Sequence, residues 1–129
     1  NLEFEKKIFK FKRNKKLHIF YSKYKIKNIE KLKNKTITAF AGIGNPSNFF
    51  DLLRESNLNL NKMHTFPDHH NYSNEDFEIL NREKSNVLVT TEKDYYRLNE
   101  NQKNICQFIE VDLEIENQEI FKNIIKSYL

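Results

Sequence analysis

The sequence is poor in the residues that punctuate a chain. Its 129 residues include two glycines, two prolines, one cysteine and no tryptophan. A lone cysteine excludes an internal disulfide framework and fits a reducing compartment. Cys106 stands beside a predicted strand and reads as a buried, inert thiol. No apolar run approaches the roughly 20 residues that span a bilayer, and nothing at the start reads as a signal peptide. A phosphate-binding P-loop needs Gly, four residues, then Gly-Lys-Ser/Thr, and this chain has no such segment. The first residue is Asn1 rather than methionine, which reads as processing or as a piece of a longer protein.

What is present suffices for one domain with one core: 38% apolar residues, with 11 Phe and 6 Tyr among them. Charge is uneven. Residues 1–35 carry 13 Lys/Arg against 3 Asp/Glu, and the remaining residues carry 9 against 15. A basic arm before an acidic domain points to an anionic partner such as phosphate, nucleic acid or a lipid surface, the bland alternative being a solvated charge run. The arm has aromatic residues for stacking on RNA. It carries no RNP-type, zinc-knuckle or helix-turn-helix pattern, so no nucleic acid is expected.

Residues 1–35 alternate apolar and basic side chains. Phe9–Lys12 and Leu17–Ile26 read as two strands of a β-ribbon, with a turn at Asn14-Lys15-Lys16. From residue 36 to 129 the pattern is regular. Thr36–Ala41, Leu60–Phe66, Val87–Thr91 and Gln107–Val111 read as strands. Helices are predicted from Pro46 to about Ser56 with Asn45 as N-cap, from Ser73 with Asp76 three residues on, briefly over Lys93–Leu98, and from Asn117 with Ile120, Phe121, Ile124, Ile125 and Tyr128 at helical spacing. Phe77, Ile79 and Leu80 are assigned to the inward face of the second helix. Alternating strands and helices predict an α/β three-layer sandwich with a mainly parallel sheet of about four strands, plus the N-terminal ribbon.

Both glycines lie in Gly42-Ile43-Gly44, and the prolines are Pro46 and Pro67. All four sit just after predicted strands. Parallel sheets bind ligands outside the carboxyl ends of their strands. The Gly42–Asn45 turn, Pro67-Asp68-His69-His70 and Thr91-Glu92-Lys93-Asp94 are therefore expected to share one rim.

Each stretch has its own chemistry. Gly42-Ile43-Gly44 before a helix offers backbone N–H groups to an anion, or is a tight structural turn. It lacks the dinucleotide fingerprint: Ser47 fits as the third small residue, but Asn61 and Lys62 stand where an acid belongs. An acid beside histidines, Asp68-His69-His70, suits proton transfer or the orientation of a catalytic partner. His64 is near, but no cysteine or second acid stands at metal-ligand spacing, so no metal site is assigned. Lys93 suits neutralising a phosphate and Thr91 donating to one. Tyr96 or Leu98 is expected in the core and Arg97 at the surface.

Ala39-Phe40-Ala41-Gly42-Ile43-Gly44-Asn45-Pro46, Phe49-Phe50, Phe66-Pro67-Asp68-His69-His70-Asn71-Tyr72 and Thr90-Thr91-Glu92-Lys93-Asp94 together resemble the C-terminal domain of tetraacyldisaccharide 4'-kinase, the lipid A 4'-kinase of Gram-negative bacteria. The resemblance covers roughly residues 35–129, and residues 1–35 fit the family's inter-domain segment. It implies transfer of the ATP γ-phosphate to the 4'-hydroxyl of a tetraacylated disaccharide 1-phosphate. Mg²⁺ is required, and the work is done at the cytoplasmic face of the inner membrane, in a cleft between two α/β domains. The family's P-loop and catalytic aspartate belong to an N-terminal domain that this sequence does not contain. A histidine of the Asp-His motif pairs with that aspartate, and the matching residue here is His69, with Asp68 beside it. Gly42, Gly44, Asn45, His70, Thr91, Glu92 and Lys93 would line the cleft. The isolated chain is expected to be inactive. The alternative is a free-standing α/β module that binds a phosphorylated ligand at the same rim.

Overall fold

The computed structural model describes residues 19–128. Strand β1 (Ser22–Ile26) is followed by a 3₁₀ turn at Ile29–Lys31, then β2 (Thr36–Ala41), α1 (Pro46–Glu55), β3 (Asn59–Thr65), α2 (Asn74–Leu80), β4 (Val87–Thr90), α3 (Glu92–Tyr95), α4 (Glu100–Asn104), β5 (Cys106–Phe108), β6 (Val111–Ile115) and α5 (Gln118–Tyr128). Residues 24–112 form one compact unit; the described residues 19–23 and 113–128 belong to a second.

The larger unit is built on a four-stranded parallel sheet in the order β3-β2-β4-β5. The central strand β2 is buried at five of its six positions, so it reads as a continuous apolar run, as a strand covered on both faces must. Its side chains alternate between two cores. Ile37, Ala39 and Ala41 join Phe49, Phe50 and Leu53 of α1 on one face. Phe40 joins Phe77 and Leu80 of α2, with Tyr72, Leu98 and Cys106, on the other. Helix, sheet and helix thus make the three layers that the strand–helix alternation predicts. Phe40 is fully buried and meets Phe66, Tyr72 and Phe77 edge-on, with ring centroids 6.4, 5.3 and 5.7 Å away.

Helix α2 starts with a complete capping box. The Ser73 hydroxyl accepts from the Asp76 N–H at 3.1 Å, and the Asp76 carboxylate accepts from the Ser73 N–H at 2.8 Å. Asn45 does occupy the N-cap of α1, but its side chain makes no capping bond. Ile79, assigned inward from its spacing, is 44% exposed, because a helix of two turns buries only the stripe of Phe77 and Leu80. Helix α4, capped reciprocally by Asn99 and Gln102, was not foreseen.

Of the two strands expected in the N-terminal ribbon, Phe9–Lys12 lies outside the described residues; the other contains β1, which pairs with β6 as a two-stranded antiparallel sheet. The predicted strand Gln107–Val111 is in fact the end of β5 and the start of β6. The Asn28 side chain divides them, donating to the Phe108 carbonyl at 2.9 Å and accepting from the Glu110 N–H at 2.9 Å. Ile26 and Leu32, from the segment read as linker, are buried in the α1-side core. In the smaller unit Phe20 packs edge-on against Phe121 of α5 at 5.0 Å, and Ile120, Ile125 and Tyr128 of that helix are exposed.

Candidate functional site

Parallel register fixes where the loops begin. Phe40 is level with His64 and with Thr90, and Ala41 with Thr65. The chain therefore leaves β2, β3 and β4 side by side, with the glycine turn in the middle. Gly42 is the point where the three exits are tied. Its N–H donates to Asp94 Oδ2 at 3.1 Å, and its carbonyl accepts from the His69 N–H at 3.1 Å. The Phe66 N–H, just past β3, donates to the Ala41 carbonyl at 2.8 Å. The glycine turn, the Asp-His loop and the Thr-Thr-Glu-Lys-Asp turn do share one rim.

Close approach, not a left-handed backbone, is what requires glycine at 42, for neither glycine has positive φ. A Cβ on Gly42 would stand 2.8 Å from the Tyr72 hydroxyl, 3.0 Å from the Pro67 carbonyl oxygen and 3.3 Å from Asp94 Oδ1. At Gly44 the nearest atom to such a Cβ is Asp68 Oδ2 at 3.8 Å, an ordinary contact.

The residue that organises the rim is Asp94, which sequence reading quoted in its motif without giving it a role. Its side chain is fully buried. Oδ2 accepts from the Gly42 N–H and, at 2.7 Å, from the Thr91 hydroxyl. Oδ1 accepts from the Tyr72 hydroxyl at 2.9 Å and faces Arg97 Nη2 at 3.8 Å. A buried carboxylate is tolerable only when its oxygens are paired in this way. Arg97, expected at the surface, is therefore drawn half under the rim, where its Nη1 also reaches the Gly42 carbonyl at 3.5 Å. Burial, with the charge and hydrogen bond of Asp94, pushes the Tyr72 hydroxyl well above the usual tyrosine range. The other end of Tyr72 is held too, its carbonyl accepting from buried Gln102 Nε2 at 3.1 Å. Thr91-x-x-Asp94 was legible as a helix cap, and the Thr91 hydroxyl does accept from the Asp94 N–H. The long-range partners of the carboxylate were not legible.

The two histidines part company. His70 turns inward: its Nε2 lies 2.8 Å from Asp76 Oδ2, and its ring stacks on Phe66 at 4.8 Å. It braces the start of α2 rather than facing the cleft. For the Asp76 carboxyl, burial works upward, but hydrogen bonds from the Ser73 N–H and from His70 outweigh it and hold the group below the usual aspartate range. His69 instead sits at the loop tip with φ 58°, a left-handed conformation unusual for a residue with a Cβ. Its side chain is 82% exposed, with Nε2 3.8 Å from Asp68 Oδ1.

The remaining predicted residues divide the same way. Glu92 and Lys93 are exposed on the first turn of α3, and Gly44 and Asn45 are exposed on the glycine turn. Two earlier assignments need correction: the Gly42 N–H and the Thr91 hydroxyl are both spent on Asp94, so neither is available to a phosphate. Among the described residues no group of three or more His, Cys, Asp or Glu is placed to hold a metal. Open cavities of about 350 and 560 Å³ lie elsewhere, one beside Tyr21 and Glu116 and one beside Tyr95 and Phe108, and no rim residue lines either. No helix among the described residues is long and apolar enough to cross a membrane.

The comparisons with known proteins agree with this geometry. The family model described as tetraacyldisaccharide-1-P 4'-kinase matches residues 3–129. The tetraacyldisaccharide 4'-kinases of Rickettsia akari and Rickettsia typhi are 41% and 43% identical over 102 residues, covering 74% of this chain. The chain spans only 31% of the length of either relative. A crystal structure of LpxK from Aquifex aeolicus in complex with ATP has the same fold, with a TM-score of 0.58 and 19% identity over 91% of this chain and 40% of that one. From a match over nearly its whole length, the chain belongs to the tetraacyldisaccharide-1-P 4'-kinase family.

Proposed function

We propose that this chain is the C-terminal lobe of a tetraacyldisaccharide 4'-kinase, which transfers the ATP γ-phosphate to the 4'-hydroxyl of a tetraacyldisaccharide 1-phosphate. The observation that carries the reading is the contrast at the rim. His70 is committed to Asp76, whereas His69 is held by its backbone to Gly42 and presents a solvent-facing imidazole with Asp68 beside it. His69 then orients the carboxylate that activates the acceptor hydroxyl, a carboxylate supplied by the family's N-terminal domain. Asp68 flanks that imidazole, its Oδ1 3.8 Å from Nε2. Lys93, exposed on the neighbouring turn, adds positive charge to the cleft.

Phosphoryl transfer depends on phosphate cradling and charge neutralisation by a P-loop, its lysine and Mg²⁺. The described residues offer no cluster of metal ligands and the sequence has no P-loop. We assign ATP and Mg²⁺ to the two thirds of the family's length that this chain does not span. The basic arm of residues 1–35 would lie near anionic lipid at the cytoplasmic face of the inner membrane. A free-standing module that binds a phosphorylated ligand is the weaker reading, since two of its donors, the Gly42 N–H and the Thr91 hydroxyl, already serve Asp94.

The test is a chimera in which this chain replaces the matching third of the Rickettsia akari kinase. His69→Ala should lower kcat by about 10²- to 10⁴-fold, the usual worth of a positioned acid–base group. His70→Ala should act chiefly on stability. An unchanged kcat in His69→Ala removes His69 from the mechanism, and ATP-dependent turnover by the isolated chain would overturn the lobe assignment.

A further inference from the structure

We propose that Asp94 is a positioning residue, holding the Asp68–His69 loop in place through the backbone of Gly42. This rests on the reading of His69 given above. Gly42 is gripped from both sides: Asp94 takes its N–H at 3.1 Å, and its carbonyl takes the His69 N–H at 3.1 Å. The carboxylate is thus one residue and two hydrogen bonds from the backbone that aims the imidazole. His69 needs such a hold, because a non-glycine residue at φ 58° is kept there only by its surroundings.

The same carboxylate anchors the loop's far end. Tyr72, three residues beyond His69, donates to Oδ1 at 2.9 Å, and Arg97 completes the ring from α3's side at 3.8 Å. One buried group therefore ties the exit of β2, the exit of β4 and the Asp-His loop, at His69 through Gly42 and at Tyr72 directly. The two groups at the centre of the ring are buried: Asp94 is 0% exposed and Tyr72 9%. Asp94 touches no reacting atom; it acts through Gly42 and Tyr72.

Hydrogen exchange on this chain reads the hold directly. In Asp94→Ala the Gly42 and His69 amides should lose about 10- to 100-fold of their protection, the loss expected for a hydrogen bond to a charged group. The amides of Ala39 and Val89 in the central strands should keep theirs. Asp94→Asn preserves shape but must turn an NH₂ toward one donor. It should show the same local pattern at about 2- to 10-fold, and it replaces the alanine variant if that one does not fold. In the chimera both variants should lower kcat, alanine more than asparagine, with KM for ATP unchanged.

Wild-type protection at Gly42 and His69 in a folded variant overturns the proposal. So does an equal loss at Ala39 and Val89, failure of both variants to fold, or an unchanged kcat with the loop released. If His69→Ala is without effect on kcat while the exchange pattern appears, the fault lies in the role given to His69, and Asp94 remains the clamp of the loop.

Discussion

Gly42→Ala tests the geometry of the rim with a single methyl group. The backbone at 42 is one that alanine can adopt, so the substitution by itself would stabilise by about 0.4–1 kcal/mol through the unfolded chain. Against this, the new Cβ would meet the Tyr72 hydroxyl at 2.8 Å and the Pro67 carbonyl oxygen at 3.0 Å. Neither neighbour moves freely. The hydroxyl is bonded to Asp94 at 2.9 Å, and the carbonyl accepts from the His70 N–H at 3.1 Å. Relief at the hydroxyl gives up a bond to a charged group, about 1.5–3 kcal/mol, and the backbone carbonyl leaves about 1 kcal/mol of residual strain. The net cost is about 2–3 kcal/mol. Tyr72→Phe removes both the bond and the closest obstacle, so the double variant should be less costly than the two singles added, by about 1.5 kcal/mol. With no tryptophan in the chain, urea unfolding is best followed by far-ultraviolet circular dichroism. Additivity within about 0.5 kcal/mol, at constant m, would refute the claim that the methyl and the hydroxyl compete for one space.

Other expectations follow from the same structure. Burial pushes the Cys106 thiol up to about 12, so a disulfide reagent at pH 8 should leave the native chain unmodified and titrate one thiol after denaturation. Prompt reaction of the native chain would contradict the burial of β5. Tyr72 has a raised folded value, so its contribution is complete below the ordinary tyrosine pKa of about 10 and is lost as pH rises beyond it. The unfolding free energy of wild type should therefore fall more steeply above pH 10 than that of Tyr72→Phe; parallel curves would exclude a buried hydroxyl bonded to a carboxylate. Asp76 is depressed, so its contribution is present above the ordinary aspartate value of about 3.9 and is lost as pH falls below it. Asp76→Asn should flatten that acid limb. Phe40→Ala, which empties the hub of three edge-on aromatic contacts, should cost about 3–5 kcal/mol by denaturant titration.

How much of this was legible in the chain follows from the range of the interactions. Three of the four sheet strands were found to within a residue: Thr36–Ala41 and Val87–Thr90 because they are short, apolar, buried runs, and Asn59–Thr65, an exposed edge strand, from its place between a helix and the Pro67 turn. The capping box at Ser73 and Asp76 is likewise local, three residues apart. The split between β5 and β6 was hidden, since what breaks the run is Asn28, some eighty residues upstream. The rim shows the same division. Topology alone placed three loops together; that Gly42 ties them through Asp94 and His69 emerged only from the fold.

What spacing could not rank was the chemistry within each loop. Asp68, His69, His70, Glu92, Lys93 and Asp94 are all polar residues on turns, and composition treats them alike. The fold separates them by what each meets across the sheet. Asp94 meets Gly42, fifty-two positions away, and Tyr72, twenty-two positions away, and is buried. His70 meets Asp76 and becomes a brace. His69 meets the Gly42 carbonyl through its backbone, and its ring, beside Asp68, is left exposed. The exposed imidazole and the buried carboxylate are consequently two ends of one arrangement: the side chain that reaches outward can be aimed only because another, of the same polar class, was given up to the interior.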